Sequence, residues 1–427
     1  MNKQTHLTIL VLITFGYLNA TTINIPGDYS TIQQGINVST DGDTVLVQPG
    51  AYIGNINFNG KNILVASYFI ISQDTNLIEQ TLILGTGSEC VVKFTNEETN
   101  DAKLIGFTIS GGSGYDDKGG GIYCYQSDPT LQNLIVSQNR IEYFSGSYKG
   151  GGGIYLEYSA AIIRNVTVKE NTVIDNSGGY TCVGGGIFLS SSGNAILENL
   201  IIQGNSVISG DNGYGGGVYI QNSNNATLTN CVIIENIVNV FGANKYSRGG
   251  GVYLSNSNYS NLENLTIQGN SVISVDYGHG GGIYLGSNTT LENLTIQGNN
   301  IIAANGYGGG IYLSGDNITL DSLIIIENTI TCDYSNGAGL YLSNTSATVN
   351  TSQITGNYGI NSTKGDGILI SGGTLSLTNV TISDNYEDSN GVGIYNWGAT
   401  VSINNSIIWD NNIELQNNTS NLTVLYC

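Results

Sequence analysis

Positive charge is scarce in this chain. Its 427 residues hold 12 Lys+Arg against 32 Asp+Glu, a formal charge of −20. Phosphate contacts need clustered Lys and Arg, so a basic nucleic-acid binder is excluded. Proline is rarer still, at 3 residues, and the 60 Gly follow no Gly-X-Y period, which excludes collagen. No segment beyond residue 20 approaches 18 uninterrupted apolar residues, so no spanning helix is expected. The six cysteines, Cys90, Cys124, Cys182, Cys231, Cys332 and Cys427, share no spacing. They offer neither a disulfide framework nor a CxxC or His set for zinc. Charged residues are only 10% of the chain, but 40% is apolar. That is enough to bury a core and argues against disorder.

What is present begins with an export signal. Met1–Ala20 has Lys3 in a short positive region, an apolar stretch over Leu7–Phe15, and Ala20 before a candidate cut. The stretch is too short to span a bilayer, so it reads as a secretory signal peptide (1–20) rather than an anchor. The mature chain is expected to be secreted or at the cell surface.

The remainder repeats. Gly-Gly-Gly-Ile-Tyr or a close variant occurs ten times, its third Gly position at 121, 153, 186, 217, 251, 282, 310, 339, 367 and 393. Each copy is followed by an Asn at 139, 171, 205, 236, 270, 299, 328, 357, 385 or 411. The distance from Gly to Asn is always 17–19 residues, whereas from Asn to the next Gly it ranges from 8 to 15. Constant length implies packed backbone, and variable length reads as a surface loop. Apolar residues alternate within Gly-Ile-Tyr-Leu and Leu-Thr-Ile, which is the period of a strand.

These features predict an all-β, right-handed parallel β-helix (solenoid) of about twelve coils, each with three short strands. Inward aliphatics such as Ile267, Ile296 and Ile325 should stack about 4.8 Å apart. Asn133, Asn165, Asn199, Asn230, Asn264, Asn293, Asn379 and Asn405 fall between the second and third strands, with Ser322 and Thr351 in the same slot. A sharp bend there favours a residue that tolerates left-handed φ/ψ, and stacked Asn side chains can bond along a ladder. Residues 21–42 form an N-terminal cap, with a helix from Ser30 to Val38 capped by Ser30 and plugging the open end. Thr44–Gln48 is expected as the first strand, and the coil domain runs over 43–427. The last segment, Thr419–Cys427, reads as an uncapped strand, so continuation into a sorting or anchoring domain, or a covering partner, is expected.

The repeat resembles that of secreted bacterial right-handed parallel β-helix proteins of the pectin-lyase-like superfamily. Gly-Gly-Gly-Ile-Tyr with Ile-x-x-Asn is also similar to the paired motifs of chlamydial polymorphic outer-membrane proteins. Ile25–Ile36 followed by Asp41–Tyr52 resembles the first coil of many such proteins, pectin methylesterases among them. The resemblance implies the fold and the possibility of polysaccharide chemistry. The enzyme motifs are missing, however. There is no Gly-x-Asp-Phe-Ile-Phe-Gly, and the only Arg are Arg140, Arg164 and Arg248. Of the four polygalacturonase motifs, only Asp116-Asp117 and Gly278-His279-Gly280 occur, and the slot of His279 elsewhere holds Tyr214 or Tyr307, as in a turn. Glu198, Glu263 and Glu292 read as a solvated second-strand face rather than a glycosidase pair. No catalytic residue and no metal set is assigned. Gly210–Gly213 and Asp388–Gly391 offer at most weak Ca²⁺ contact, so no cofactor is expected.

One stripe invites a binding role. Tyr123, Tyr155, Phe188, Tyr219, Tyr253, Tyr284, Tyr312, Tyr341 and Tyr395 all follow the inward aliphatic of the first strand, and Leu369 breaks the run. They should face outward, either as open rings for sugar stacking or as a structural ladder. Tyr219, Tyr253, Tyr284, Tyr312 and Tyr341 are the candidate carbohydrate-binding residues. The favoured function is non-catalytic adhesion or glycan contact. The alternatives are a polysaccharide lyase or hydrolase acting on this face and a structural spacer in the cell envelope.

Overall fold

The computed structural model describes residues 20–114, 118–142, 148–286, 288–386, 391–418 and 421–425. The export signal up to Asn19, the Asp116-Asp117 pair and Cys427 lie outside the described residues. The chain is an all-β, right-handed parallel β-solenoid of about twelve turns. One coil shows how it is built. Val252–Ser255, Asn261–Glu263 and Thr266–Gln268 form three faces, each paired in parallel with Ile283–Gly286, Thr290–Glu292 and Thr295–Gln297 of the next coil. Leu254, Leu262 and Ile267 point inward and are fully buried. Their counterparts continue through one core from Ile23 to Ile403. Ile267, Ile296 and Ile325 are direct partners along it, as the alternation requires.

The bends follow the expected chemistry. Asn133, Asn165, Asn199, Asn230, Asn264, Asn293, Ser322, Thr351, Asn379 and Asn405 all have φ between 46° and 57°. Asn tolerates this left-handed region because its short polar side chain bonds locally. Neighbouring bends are linked, as in Asn264 Nδ2 to Asn230 Oδ1 at 3.0 Å. The stronger ladder lies elsewhere, at the final Asn of each unit. Asn139, Asn171, Asn205, Asn236, Asn270, Asn299, Asn328, Asn357, Asn385 and Asn411 are buried. Asn270 Nδ2 donates to Asn299 Oδ1 at 2.9 Å and to the Ile233 carbonyl at 2.9 Å, while its backbone N–H donates to the same Oδ1 at 3.0 Å. Both amide hydrogens and the acceptor oxygen are thereby satisfied out of water.

The Gly tract is dictated by crowding. Gly249 has φ +63°, and a Cβ on Gly250 would stand 2.3 Å from the Gly281 carbonyl oxygen of the next coil.

The variable segment is not a loop. From Arg140–Glu142 and Tyr148–Gly150 onward, the chain leaves the coil after the final Asn as one strand and returns as another before the Gly tract, and in the later coils the two merge into the single strands Thr329–Asn336 and Tyr358–Lys364. Thr172–Asp175 with Thr181–Val183, and Ser271–Ser274 with Tyr277–His279, are such pairs. They stack into a separate parallel sheet, a fin along the rod. The fin has its own interior. Ile141, Val173, Cys182, Val207, Val238 and Val240 form one buried cluster, and Val272, Ile301, Ala303, Ile330, Cys332 and Ala338 another. Outgoing strands supply branched residues, and returning strands supply small ones. A Cβ on Gly213 would meet Val238 Cγ1 and Val240 Cγ2 at 2.8 Å. Cys182 and Cys332 are therefore core residues of the fin, while Cys124 and Cys231 are buried in the core of the rod.

At the N-terminal end the strand Thr22–Ile25 precedes the helix and pairs with Thr44–Val47, which is thus the second strand of its ladder rather than the first. The helix spans Ile32–Val38, and its cap is Thr31, not Ser30. The Thr31 hydroxyl accepts from Gln34 N, and the Gln34 side chain accepts from Thr31 N, a capping box. Ile32 and Ile36 join the rod core, closing its end.

Candidate functional site

The first face carries an outward column in continuous register: Asn57, Lys93, Tyr123, Tyr155, Phe188, Tyr219, Tyr253, Tyr284, Tyr312 and Tyr341. The tyrosines point away from the rod core, as the sequence placed them. They are not open. Tyr219 is 2% exposed, Tyr253 5%, Tyr284 7% and Tyr312 9%, while Tyr341 is half-buried. The returning strands of the fin lie over them. The last residue of each return forms a second column: Lys118, Gly150, Val183, Tyr214, Arg248, His279, Tyr307, Asn336 and Lys364. Its side chains pack on the rings, and Gly150 leaves room for Phe188, whose Cδ1 would lie 2.6 Å from an added Cβ. His279 belongs to this column on the strand Tyr277–His279, not to a turn.

The rings stack on one another. Phe188–Tyr219 and Tyr219–Tyr253 centroids are 5.0 and 4.8 Å apart at 4° and 7°. Tyr253 and Tyr284 meet edge-on at 81°, and Tyr284–Tyr312 resumes the stack at 4.7 Å and 9°. These rings form a covered structural ladder. Tyr253→Ser is expected to destabilise the rod by about 3 kcal/mol, near the lower end for removing a buried ring, read as a lowered melting temperature.

The cover ends where the fin ends. Beyond Lys118, toward the N-terminus, no described strand of the fin lies over the outward column, and a cleft of about 610 Å³ is lined by Asn57, Lys93, Thr95, Lys118, Tyr123, Tyr125, Glu157 and Tyr158. Glu157 organises it. Its carboxylate accepts from Lys118 Nζ at 2.8 and 3.0 Å and from the Tyr123 hydroxyl at 2.5 Å. Lys118 Nζ also stands 5.9 and 5.8 Å from the Tyr123 and Tyr155 ring centroids. Burial, then the Glu157 carboxylate, pushes the Tyr123 hydroxyl far above its ordinary range, so it stays a donor. Lys93 pairs with Glu89 at 2.5 Å. Tyr125 and Tyr158 meet edge-on at 6.2 Å. Tyr158 is 56% exposed and has φ 53° at the bend after the first strand, a slot filled by Asn222 and Asn256 in later coils. A bulky ring in left-handed backbone is strained, and such strain concentrates at functional sites.

The other candidates stay apart. Glu263 and Glu292 are register partners on the second face, two and three coils beyond Glu198, which pairs with Arg164 at 2.8 Å. Asp211, in a turn considered for Ca²⁺, accepts from Thr181 and pairs with Lys245. The Asp388–Asn390 part of the other turn lies outside the described residues. Among the described residues no group of three His, Cys, Asp or Glu converges on one point, and no helix is long and apolar enough to cross a membrane.

Residues 185–374 match the family model of the right handed beta helix region. No curated protein sequence matches the chain. Among solved structures it is similar to the catalytic domain of a GH87 alpha-1,3-glucanase in complex with tetrasaccharides, at 12% identity and a TM-score of 0.35, covering 96% of this chain and 66% of that domain. It is also similar to the periplasmic alginate epimerase AlgG, at 12% identity and TM-score 0.36 over 94% and 83% of the two chains. A third is the receptor binding domain of the siphovirus 9NA tailspike, at 10% identity and TM-score 0.32 over 96% and 76%. At such values, what those proteins bind or act on remains theirs.

Proposed function

We propose that the chain is an exported rod that contacts a glycan in the open cleft at the N-terminal end of its first face, without cutting it. The observation that carries this reading is the lining of that cleft. Exposed or half-exposed Tyr158 and Tyr125 stand beside Lys93, Lys118, Glu157, Asn57 and Thr95 in a volume of about 610 Å³. Rings for the apolar face of a sugar, with a few polar groups for its hydroxyls, are the usual make-up of a small-ligand site. Export rests on the pattern of residues 1–20. The reading as a non-catalytic site rests on Glu157. Among the described residues it is the one carboxylate of the lining and is already engaged by Lys118 and Tyr123, whereas glycosidases use a pair. A lyase or hydrolase is the second reading, favoured by the tyrosine hydroxyl and the lysine that both meet the Glu157 carboxylate.

A glycan array read alongside a reducing-sugar and unsaturated-product assay on the same samples separates these readings: binding without product is expected. The residue test is Tyr158→Asn. Asn suits the left-handed bend, so stability should rise by about 0.5–1 kcal/mol, while glycan affinity falls roughly tenfold with the ring. Unchanged affinity would remove the cleft as the site.

A further inference from the structure

The stack of rings breaks where Arg248 enters it. The Arg248 guanidinium lies 4.6, 5.2 and 5.6 Å from the ring centroids of Tyr246, Tyr284 and Tyr214. Among the described residues no carboxylate forms an ion pair with it. The surrounding hydroxyls supply no negative charge near neutral pH, since burial raises that of Tyr284 further. Arg248 Nε is buried and no protein acceptor reaches it. Its register partner on the next coil is His279, 8% exposed, whose Nδ1 is likewise buried with no protein partner. Burial, then the Arg248 charge, hold the His279 imidazole down to about 3, so it is neutral and carries one proton, which Nδ1 is able to hold.

Two buried nitrogens, on residues that are register partners of adjacent strands, thus lie in one aromatic cluster around a half-buried positive charge that no carboxylate balances. Cation–π contacts offset part of the desolvation cost of a guanidinium but leave the charge unbalanced. The packing is tight. His279 stacks on Tyr312 at 4.8 Å and meets Tyr307 and Tyr246 edge-on or nearly so, at 5.1 and 5.7 Å. The charge suits an anion, and the close packing suits a single atom rather than a polyatomic group.

We propose that Arg248 Nε and His279 Nδ1 form a binding site for a small monovalent anion of halide size, which fastens the fin to the first face. The site is independent of the glycan cleft, four strand steps away along the covering column at Lys118.

The test uses the whole chain in chloride and in gluconate at matched ionic strength, which removes general screening of the acidic surface. A ligand held only by the folded state raises the melting temperature with its concentration. The expected result is a higher melting temperature in chloride, rising to a plateau of several degrees, and loss of that difference in Arg248→Met. General exclusion effects favour gluconate, so the expected order is opposite to theirs. Should Arg248→Met fail to fold, crystals of the unaltered chain soaked in bromide decide: an anomalous peak within hydrogen-bond reach of both nitrogens is expected. Equal melting curves in the two salts, or no such peak, would each overturn the proposal and leave water as the partner of these atoms.

Discussion

Ile296→Asp is expected to abolish cooperative folding of the rod. Ile296 is fully buried between Ile267 and Ile325, and every neighbour on the inner face is aliphatic. A carboxylate there finds no donor, and its burial costs about 5 kcal/mol or more on top of the lost methyl groups. The stack continues through every coil, so the damage cannot be confined to a loop. Circular dichroism and a denaturant titration should show loss of the β signal, or a transition shifted far below that of the parent chain. A near-normal transition would mean that Ile296 does not face inward.

Asn299→Ala is expected to cost about 4–6 kcal/mol, well beyond the effect of a typical surface change. Asn299 Nδ2 donates to the Ile267 carbonyl and to Asn328 Oδ1, and its Oδ1 accepts from the N–H and the side chain of Asn270. The substitution removes four buried bonds and leaves donors on Asn270 without an acceptor. Asn293 is the control. It sits at φ 56° on an exposed bend and makes one ladder bond, to Asn264. Asn293→Ala should cost only about 1–2 kcal/mol, from backbone strain and that one bond. Chemical denaturation of both variants measures the difference directly. Equal losses would show that the buried ladder adds nothing beyond the bends.

Much of the fold was legible because its rules act on single residues. Alternation set Ile267 and Ile296 inward, and the need for left-handed backbone put Asn at the bends. The fin was missed because variable spacing was taken for a loop. A signal was present all the same. In the first seven of the ten units, two residues after the final Asn stands a branched residue, Ile141, Val173, Val207, Val238, Val272, Ile301 or Ile330, and all seven are buried in the fin. The covered state of the tyrosines had a signal too. Gly-Ile-Tyr-Leu has no polar residue at its outward slot, which is how a strand buried on both faces reads. The cleft was not legible at all. It exists because the first-face column continues past the end of the fin, so Asn57 and Lys93 lie beyond its cover, and nothing in the local sequence of those residues reports that boundary.

On the proposed function, the cleft at Tyr158 and not the ladder at Tyr253 meets the ligand. The most direct measurement is binding and melting of Tyr158→Asn and Tyr253→Ser side by side, on whichever glycan the parent chain retains. Tyr158→Asn is expected to lose affinity while melting no lower than the parent, and Tyr253→Ser to melt lower while its folded fraction binds as the parent does. The reverse pattern, with affinity lost at Tyr253 and kept at Tyr158, would contradict it.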